Sequence, residues 1–193
     1  EVRQMVGRLD TKETVLERLS ALKAYGQCSV VIDLIYGLPG QTMEVWEQDL
    51  ADLVSSGVDG ADLYQLNVFD GSDLNKDITN GKVPAAATTA MQGEMFEFGR
   101  KYLDERSYRR LSAAHWSANN RERSLYNTLA KSGVPMFPFG SGAGGNVDGY
   151  GMMLHRALKP YEDMVTRGEK PFMALMKQSD LQPIVNQVVS QLE

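Results

Sequence analysis

VVIDLIYGLPGQT, residues Val30–Thr42, is an almost unbroken apolar run that carries one carboxylate, Asp33, and then breaks at Gly-Leu-Pro-Gly. Such a run is typical of a parallel-sheet strand covered on both faces, and it predicts a strand over residues 28–35 that Gly37 ends. Burying an unpaired carboxylate is costly, so Asp33 needs a partner or a place at the strand's open end, facing a ligand. The residues alone leave both a structural acid and a ligand contact open.

Helices and strands alternate around this run. Asp10 and Glu13 resemble a capping box for a helix that ends at Gly26, and Thr42 is expected to cap a helix that ends at Gly57. Residues 61–69 form the next apolar strand pattern. This alternation predicts right-handed parallel crossovers, with ligands at the carboxyl ends of the strands.

The remainder of the chain predicts helices and glycine-rich loops. The expected elements are a polar loop over 70–87, a helix with Met91 to Tyr102 in its buried stripe, a short strand over 108–113, a helix over 118–131, a glycine loop over 140–151, and two helices marked by Leu154 to Val165 and Leu181 to Leu192.

Composition excludes several classes of function. A net charge of -5 argues against binding to phosphate backbones, which depends on clustered Lys and Arg. The sequence has neither an apolar run long enough to cross a bilayer nor an amino-terminal signal segment, so we expect a cytoplasmic protein without a membrane partner. The one cysteine, Cys28, cannot bind a metal or cluster by itself.

Two glycine-rich stretches suggest phosphate binding and do not fit it. In the stretch from Gly37 to Thr42, Gln41 stands where a phosphate loop needs its Lys. Gly140, Gly142 and Gly145 satisfy G-x-G-x-x-G, but no helix follows directly, so the dinucleotide interpretation is weak. A tight loop where the backbone passes close to another group is the simpler account.

His115 and the methionines have alternative interpretations. His115 can be a core histidine bonded to a backbone carbonyl, or a proton donor or metal ligand at a strand end. The methionines of the last third of the chain can be core filler, or the adaptable wall of a macrocycle pocket. Arg121, Arg123 and Arg100 would then pair with ligand carboxylates, although a solvated charged face is the default.

Several motifs together resemble the HemN-like group of radical S-adenosylmethionine proteins, the group of oxygen-independent coproporphyrinogen III oxidase. The closest likeness is to the branch associated with anaerobic haem utilisation (ChuW/HutW). The motifs are IDLIYGLPGQT at 32–42, LYQLNVF at 63–69, HW at 115–116, RERSLYN at 121–127 and PFGSGAGG at 138–145.

The resemblance implies an α/β fold, namely the C-terminal part of a partial (β/α) radical-SAM barrel with a family-specific α+β extension. Residues 1–70 would be barrel strands and helices, 71–150 a substrate-covering extension with the glycine loop, and 151–193 C-terminal helices. The implied cofactors are S-adenosylmethionine and a 4Fe-4S cluster. The family's Cys-x-x-x-Cys-x-x-Cys loop is absent from these 193 residues, so we expect a C-terminal fragment that is inactive alone.

Site residues follow from the resemblance by motif. It implies cofactor contacts at Arg8, Asp33, Ile35, Asn67 and Gly144, the last through its backbone. A strand-end carboxylate can accept hydrogen bonds from ribose or amino groups, and an arginine can pair with a carboxylate.

The resemblance also implies substrate and partners. His115, Arg121 and Arg123 would contact a porphyrin or its propionates. The whole enzyme would degrade haem without oxygen, by radical methyl transfer, ring opening and iron release, with an electron donor such as a flavodoxin-type protein. Decarboxylation of coproporphyrinogen III and non-catalytic haem binding or delivery are the alternatives. Since a fragment would lack neighbouring strands, we also expect it to self-associate.

Overall fold

The computed structural model describes residues 2–192, except for the side chains of Lys131 and residues 190–192. The chain divides into two compact units, one up to Arg123 and one from Ser124. The expected functional division at residues 70 and 150 stays a prediction. Among the helices of the described chain, none combines the length and apolar character needed to cross a membrane.

The first unit contains a four-stranded sheet with the strand order β1-β2-β4-β3. As expected, β1 and β2 are parallel, and β4 runs antiparallel to both of its neighbours. The elements of this unit are α1 (Val2–Met5), α2 (Lys12–Tyr25), β1 (Val31–Tyr36), α3 (Met43–Ser56), β2 (Gly60–Gln65), α4 (Asp73–Thr79), α5 (Thr89–Asp104), β3 (Arg109–Arg110) and β4 (His115–Ser117).

Helices α3 and α5 cover one face of this sheet and form the core with it. Trp46, Leu50, Leu63, Met95 and Trp116 are fully or almost fully buried there. The Trp46 indole N–H donates to the Met95 carbonyl at 2.8 Å, which joins the two helices inside the core. Burying side chains of this size supplies much of the stability of the unit.

The other face of the sheet is less covered than the sequence predicts. On this face Asp33 is exposed, and Ile35 and Tyr64 are 40% and 44% exposed. The expectation of a strand covered on both faces is therefore wrong for β1. The apolar run is real, but its alternate side chains point away from the helices.

Helix α3 begins and ends as predicted. The Thr42 hydroxyl oxygen accepts a hydrogen bond from the Val45 N–H, and Gly57 ends the helix in the left-handed conformation. Gly26 likewise ends α2. The cap of α2 is Thr11 and not Asp10, since Asp10 pairs with Arg18 instead.

Three other predicted elements differ from the structure. Helix α4 lies inside the predicted loop and is capped by Ser72, and β2 ends four residues before the predicted end, at Gln65. The helix predicted over 118–131 is formed only from Leu125 onward. Before it, the side chain of Asn119 bonds to Asp59 and to the backbone N–H of Arg121, which favours a turn over a helix.

The second unit contains a three-stranded antiparallel sheet, in the order β5-β6-β7, that the sequence did not predict. Leu154, assigned to a helix, is buried at the end of β6. The elements are α6 (Leu125–Lys131), β5 (Gly144–Val147), β6 (Tyr150–Leu154), α7 (Leu158–Thr166), β7 (Phe172–Lys177) and α8 (Gln182–Leu192).

Candidate functional site

Acidic side chains and a histidine lie side by side on the less covered face of the first sheet. Asp33 on β1 is in register with Asp62 on β2, and Asp62 is in register with His115 on β4. Residues paired across strands point to the same face, so the three side chains form a row. The sequence identified Asp33 and His115, but not the Asp62 that joins them.

His115 is buried between two carboxylates. Its Nδ1 lies 3.0 Å from Asp62 Oδ1 and its Nε2 lies 3.3 Å from Glu122 Oε1. Neither ring nitrogen has a hydrogen-bond partner of good geometry in the described structure, although both lie close to a carboxylate. The sequence analysis offered a core histidine bonded to a backbone carbonyl as one interpretation. His115 is buried as that interpretation requires, but the described contacts include no such bond.

A metal site at this cluster has no support in the described part of the chain. No group of three or more His, Cys, Asp and Glu side chains there is arranged to bind a metal ion. Cys28 is exposed and is the single cysteine of the sequence. A 4Fe-4S cluster needs several thiolates, so the residues present do not fit one.

The pKa of the Asp33 carboxyl is higher than its ordinary value. Burial and the negative charge of Asp62 raise the pKa of Asp33, and His115 opposes them. Tyr64, next to Ile35 in register, has its pKa raised by burial, by the charges of Asp62 and Asp33 and by a hydrogen bond to Asp62. The face therefore offers a neutral phenol and a carboxyl that binds a proton more readily than usual. Such groups can donate to or accept from the polar edge of a ligand.

Gln41 fixes the turn at the end of β1. Its buried side-chain oxygen accepts hydrogen bonds from the Gly37 and Leu38 N–H groups at 2.8 and 3.1 Å. Its amide nitrogen donates to the Ile35 carbonyl and to Asp49. The Gln41 side chain thus both accepts from and donates to the main chain of residues 35–38. A lysine cannot accept a hydrogen bond, so these contacts explain why glutamine stands where a phosphate loop would have lysine.

Gln92 performs the equivalent function at the end of β2. Its side-chain nitrogen donates to the Leu66 carbonyl at 3.1 Å, and its oxygen accepts a bond from the side chain of Gln65 at 2.7 Å. Gly37, in the left-handed conformation, lies against the same side chain: a Cβ there would be 2.6 Å from Gln92 Nε2. The two glutamines define the strand ends where ligands are expected.

A cleft of about 380 Å³ opens at these strand ends. Its walls come from the ends of β1 and β2, from α5 and from the segment before β4. They are formed by Tyr36, Leu63, Tyr64, Gln65, Asn67, Phe96, Arg110, Ala113 and Ala114. Asn67 was a predicted cofactor contact, whereas Arg110 was not singled out by the sequence.

The other predicted site residues lie in different places. Ile35 shares the open face with Asp33, and Arg8 lies exposed in the segment between α1 and α2. Arg121 donates through Nη2 to the Gly26 and Cys28 carbonyls, before β1, at the opposite end of the strand from the cleft. Arg123 is exposed near the end of the first unit.

Gly144 begins β5, in the second unit. Its neighbour Gly145 explains the glycine cluster, since a Cβ there would lie 2.3 Å from the Met136 carbonyl oxygen. Close backbone approach is thus the reason for glycine at this position, as the simpler account predicted. The cluster leads into a strand and not into a helix, so a dinucleotide fingerprint is absent from this stretch.

Relatives of the chain include an anaerobilin synthase and a haem chaperone. Anaerobilin synthase of Escherichia coli O157:H7 is 36% identical over 180 residues, which are 93% of this chain and 40% of that protein. The Heme chaperone HemW of Lactococcus lactis is 27% identical over 75% of this chain and 38% of the chaperone. The chain therefore spans about two fifths of the length of these relatives. No family model matches it.

The fold comparison agrees with these relatives. The structure of coproporphyrinogen III oxidase (HemN) from Escherichia coli, a radical SAM enzyme, matches with a TM-score of 0.80 and covers 99% of this chain and 46% of the oxidase. Its sequence identity is 17%, so this match concerns the fold. The partial α/β architecture predicted from the sequence is confirmed. On the motifs, the relatives and the fold together, the chain belongs to the HemN-like family of radical S-adenosylmethionine proteins.

Proposed function

We propose that the protein containing this chain degrades haem without oxygen, by radical methyl transfer, opening of the porphyrin ring and release of iron. The observation that carries this proposal is the 36% identity to anaerobilin synthase across 93% of the chain. That similarity extends over the strands that bear Asp33, Asp62 and His115. An electron donor such as a flavodoxin-type protein would supply the reducing equivalents.

Four residues of the first unit are proposed to contact S-adenosylmethionine. Asp33 would accept hydrogen bonds from its ribose or amino group, and Arg8 would pair with its carboxylate. Ile35 offers an exposed apolar surface beside Asp33, and the Asn67 amide lines the cleft. Gly144 of the second unit would contribute its backbone. When bound, the cofactor supplies the methyl group and the carbon radical.

The residues present fit S-adenosylmethionine only in part and do not fit the iron-sulfur cluster. Asp33 lies on the open face of the sheet, where its carboxyl oxygens can accept hydrogen bonds from the hydroxyl and amino donors of a ligand. The one cysteine of the sequence, Cys28, is exposed, and a single thiolate does not provide the ligands of a 4Fe-4S cluster.

His115 is proposed to act on the substrate through Asp62. It is buried between Asp62 and Glu122, and its Nδ1 lies 3.0 Å from Asp62 Oδ1, so its ring packs behind the Asp62 carboxylate on the open face. A porphyrin above this face would therefore meet Asp33, Asp62 and Tyr64 before it reached the imidazole. Arg123 is kept as a proposed propionate contact, while the contacts of Arg121 favour a structural function.

The test uses the full-length protein under anoxic conditions with haem, S-adenosylmethionine and a reductant. We expect 5′-deoxyadenosine and a methylated linear tetrapyrrole, and we expect Asp33→Asn to lower both yields by about tenfold or more, since a charge-assisted contact is lost. Asp73→Asn on α4 is the matched control, because the Asp73 side chain is exposed and does not line the cleft.

The similarity to HemW supports one alternative, non-catalytic binding or delivery of haem. Spectral titration that detects haem binding, together with no cleavage of the cofactor, would favour this alternative and overturn the enzymatic proposal. Turnover of coproporphyrinogen III with loss of carbon dioxide, in place of haem, would instead establish the decarboxylase.

A further inference from the structure

Arg110 lies in the cleft at the carboxyl ends of β1 and β2. The cleft volume of about 380 Å³ is near the lower end of small-molecule pockets. Aromatic walls from Tyr36 and Phe96 suit the flat edge of a large conjugated ligand, and the amide of Asn67 lines the same cleft. The space therefore fits one edge of a macrocycle with its side chain.

The guanidinium of Arg110 is fixed on one side by the protein. Its Nε donates to the Ser112 carbonyl at 3.0 Å, and its Nη2 donates to the Ala113 carbonyl at 2.9 Å. Its central carbon lies 5.6 Å from the ring centroid of Phe96 and 5.4 Å from that of Trp116. A cation positioned in this way loses little conformational freedom when it binds a ligand.

This arginine is also charged without an acidic partner. Among the described ion pairs none involves Arg110, whereas Arg100 is bonded to both Glu97 and Asp104. Of the described residues that line the cleft, Arg110 is the one with a formal charge. Its Nε and Nη2 donate to backbone carbonyls, so Nη1 is the guanidinium nitrogen for which no acceptor is described. An oriented cation in a partly apolar cleft attracts a carboxylate.

We infer that Arg110 binds a carboxylate side chain of the tetrapyrrole while the macrocycle edge packs against the aromatic wall of the cleft. This inference rests on the proposed function, because that function supplies a ligand with carboxylates. It assigns propionate recognition to Arg110 in place of Arg121, whose guanidinium is bonded to the Gly26 and Cys28 carbonyls before β1.

The test compares binding of protoporphyrin IX with that of its dimethyl ester by the full-length protein, followed by absorbance. We expect the wild type to bind the free acid about tenfold more tightly than the ester. Arg110→Gln should weaken binding of the acid by about tenfold and leave the ester unchanged. Arg109→Gln is the matched control, because Arg109 is the adjacent exposed residue of β3 and does not line the cleft.

Equal wild-type affinity for acid and ester would overturn the inference, as would equal effects of Arg110→Gln and Arg109→Gln. Either result would leave the proposed function standing as long as the porphyrin binds. Absence of any porphyrin binding by the wild type would overturn both. If Arg110→Gln does not fold, the test uses the ratio of the affinities for the acid and the ester in the wild type and in Arg110→Lys. Because a lysine keeps the charge and loses the planar fork, the inference expects this ratio to be smaller in Arg110→Lys than in the wild type, and an equal ratio would overturn it.

Discussion

Asp59 joins three segments by hydrogen bonds at the amino ends of β1 and β2. Its side chain is fully buried, and its oxygens accept hydrogen bonds from Lys23 Nζ at 2.7 Å, the Val30 N–H at 2.9 Å and Asn119 Nδ2 at 2.8 Å. Burial alone would raise the pKa of Asp59, but these bonds outweigh it and lower the pKa to about 2. One carboxylate thus joins α2, the start of β1 and the segment after β4.

We expect Asp59→Asn to destabilise the protein by about 2 kcal/mol at neutral pH, because the ammonium of Lys23 loses its buried partner and one acceptor becomes a donor. Urea unfolding measures this difference. Asp73→Asn, at an exposed position on α4, should change the free energy of unfolding by less than about 0.5 kcal/mol.

The same substitution has a defined dependence on pH. The pKa of Asp59 is about 2 in the folded protein, against an ordinary value of 3.8, so its contribution is present above pH 3.8 and is lost as the pH falls toward 2. The stability difference between wild type and Asp59→Asn should therefore narrow over that interval. A difference that stays constant down to pH 2 would contradict the assignment.

Some site residues could be predicted from the sequence and others could not. Asp33 was predictable, because one carboxylate in an apolar run is conspicuous. Asp59 and Asp62 were missed because their partners are remote in sequence: Lys23 is 36 positions and Asn119 is 60 positions from Asp59. Arg110 was missed because the cleft that it lines also contains Tyr36 and Leu63, which are far from it in the sequence.

The turn between β1 and α3 depends on the absence of a side chain at Gly37. Gly37 has a φ of 86° and Gly57, at the end of α3, has a φ of 65°. A Cβ at Gly37 would meet the Gln92 side chain at 2.6 Å, whereas a Cβ at Gly57 would meet nothing within 4 Å. The two glycines therefore share the backbone requirement and differ in steric contact.

We expect Gly37→Ala to destabilise the protein by roughly 1 to 3 kcal/mol more than Gly57→Ala does. Both substitutions strain the backbone, but only the first displaces Gln92 from Leu66 and Gln65. Thermal or urea unfolding of the two variants measures the difference. Equal losses would mean that Gln92 moves aside without cost.

The elements missed by the sequence analysis have local causes. Helix α4 has seven residues and lies in a polar segment, so it gives little hydrophobic periodicity. Strands β5 and β6 contain Gly144, Gly145 and Gly151, which carry no side chains to alternate. Asp148-Gly149 between them, with φ values of 50° and 76°, is a hairpin signal that the preceding glycine cluster obscured. Helix α3, by contrast, carried both of its end signals.

Considered as one molecule, the chain exposes apolar groups in each of its units. In the first unit β1 is an edge strand of its sheet, and Phe69 is 71% exposed. In the second unit Met176 and Leu181 are 71% and 65% exposed. Unpaired strand edges and exposed apolar side chains favour association with other chains.

We therefore expect this 193-residue chain to self-associate as its concentration rises, which light scattering measures directly. Val31→Lys places a charge on the edge strand β1 and should reduce the apparent mass. A monomer at every concentration tested would contradict the expectation. A Val31→Lys variant with the same apparent mass as the wild type would show that the edge of β1 does not contribute to the association.

The two glutamines at the strand ends hold the backbone there through uncharged hydrogen bonds. Gln41 and Gln92 carry no charge at any pH, so their bonds to Gly37, Leu38 and Leu66 do not weaken with added salt or with protonation. The carboxyl of Asp33, on β1, responds to both conditions. Changes in ionic strength or acidity should thus alter which ligands the strand ends attract, while the walls of the cleft stay where they are.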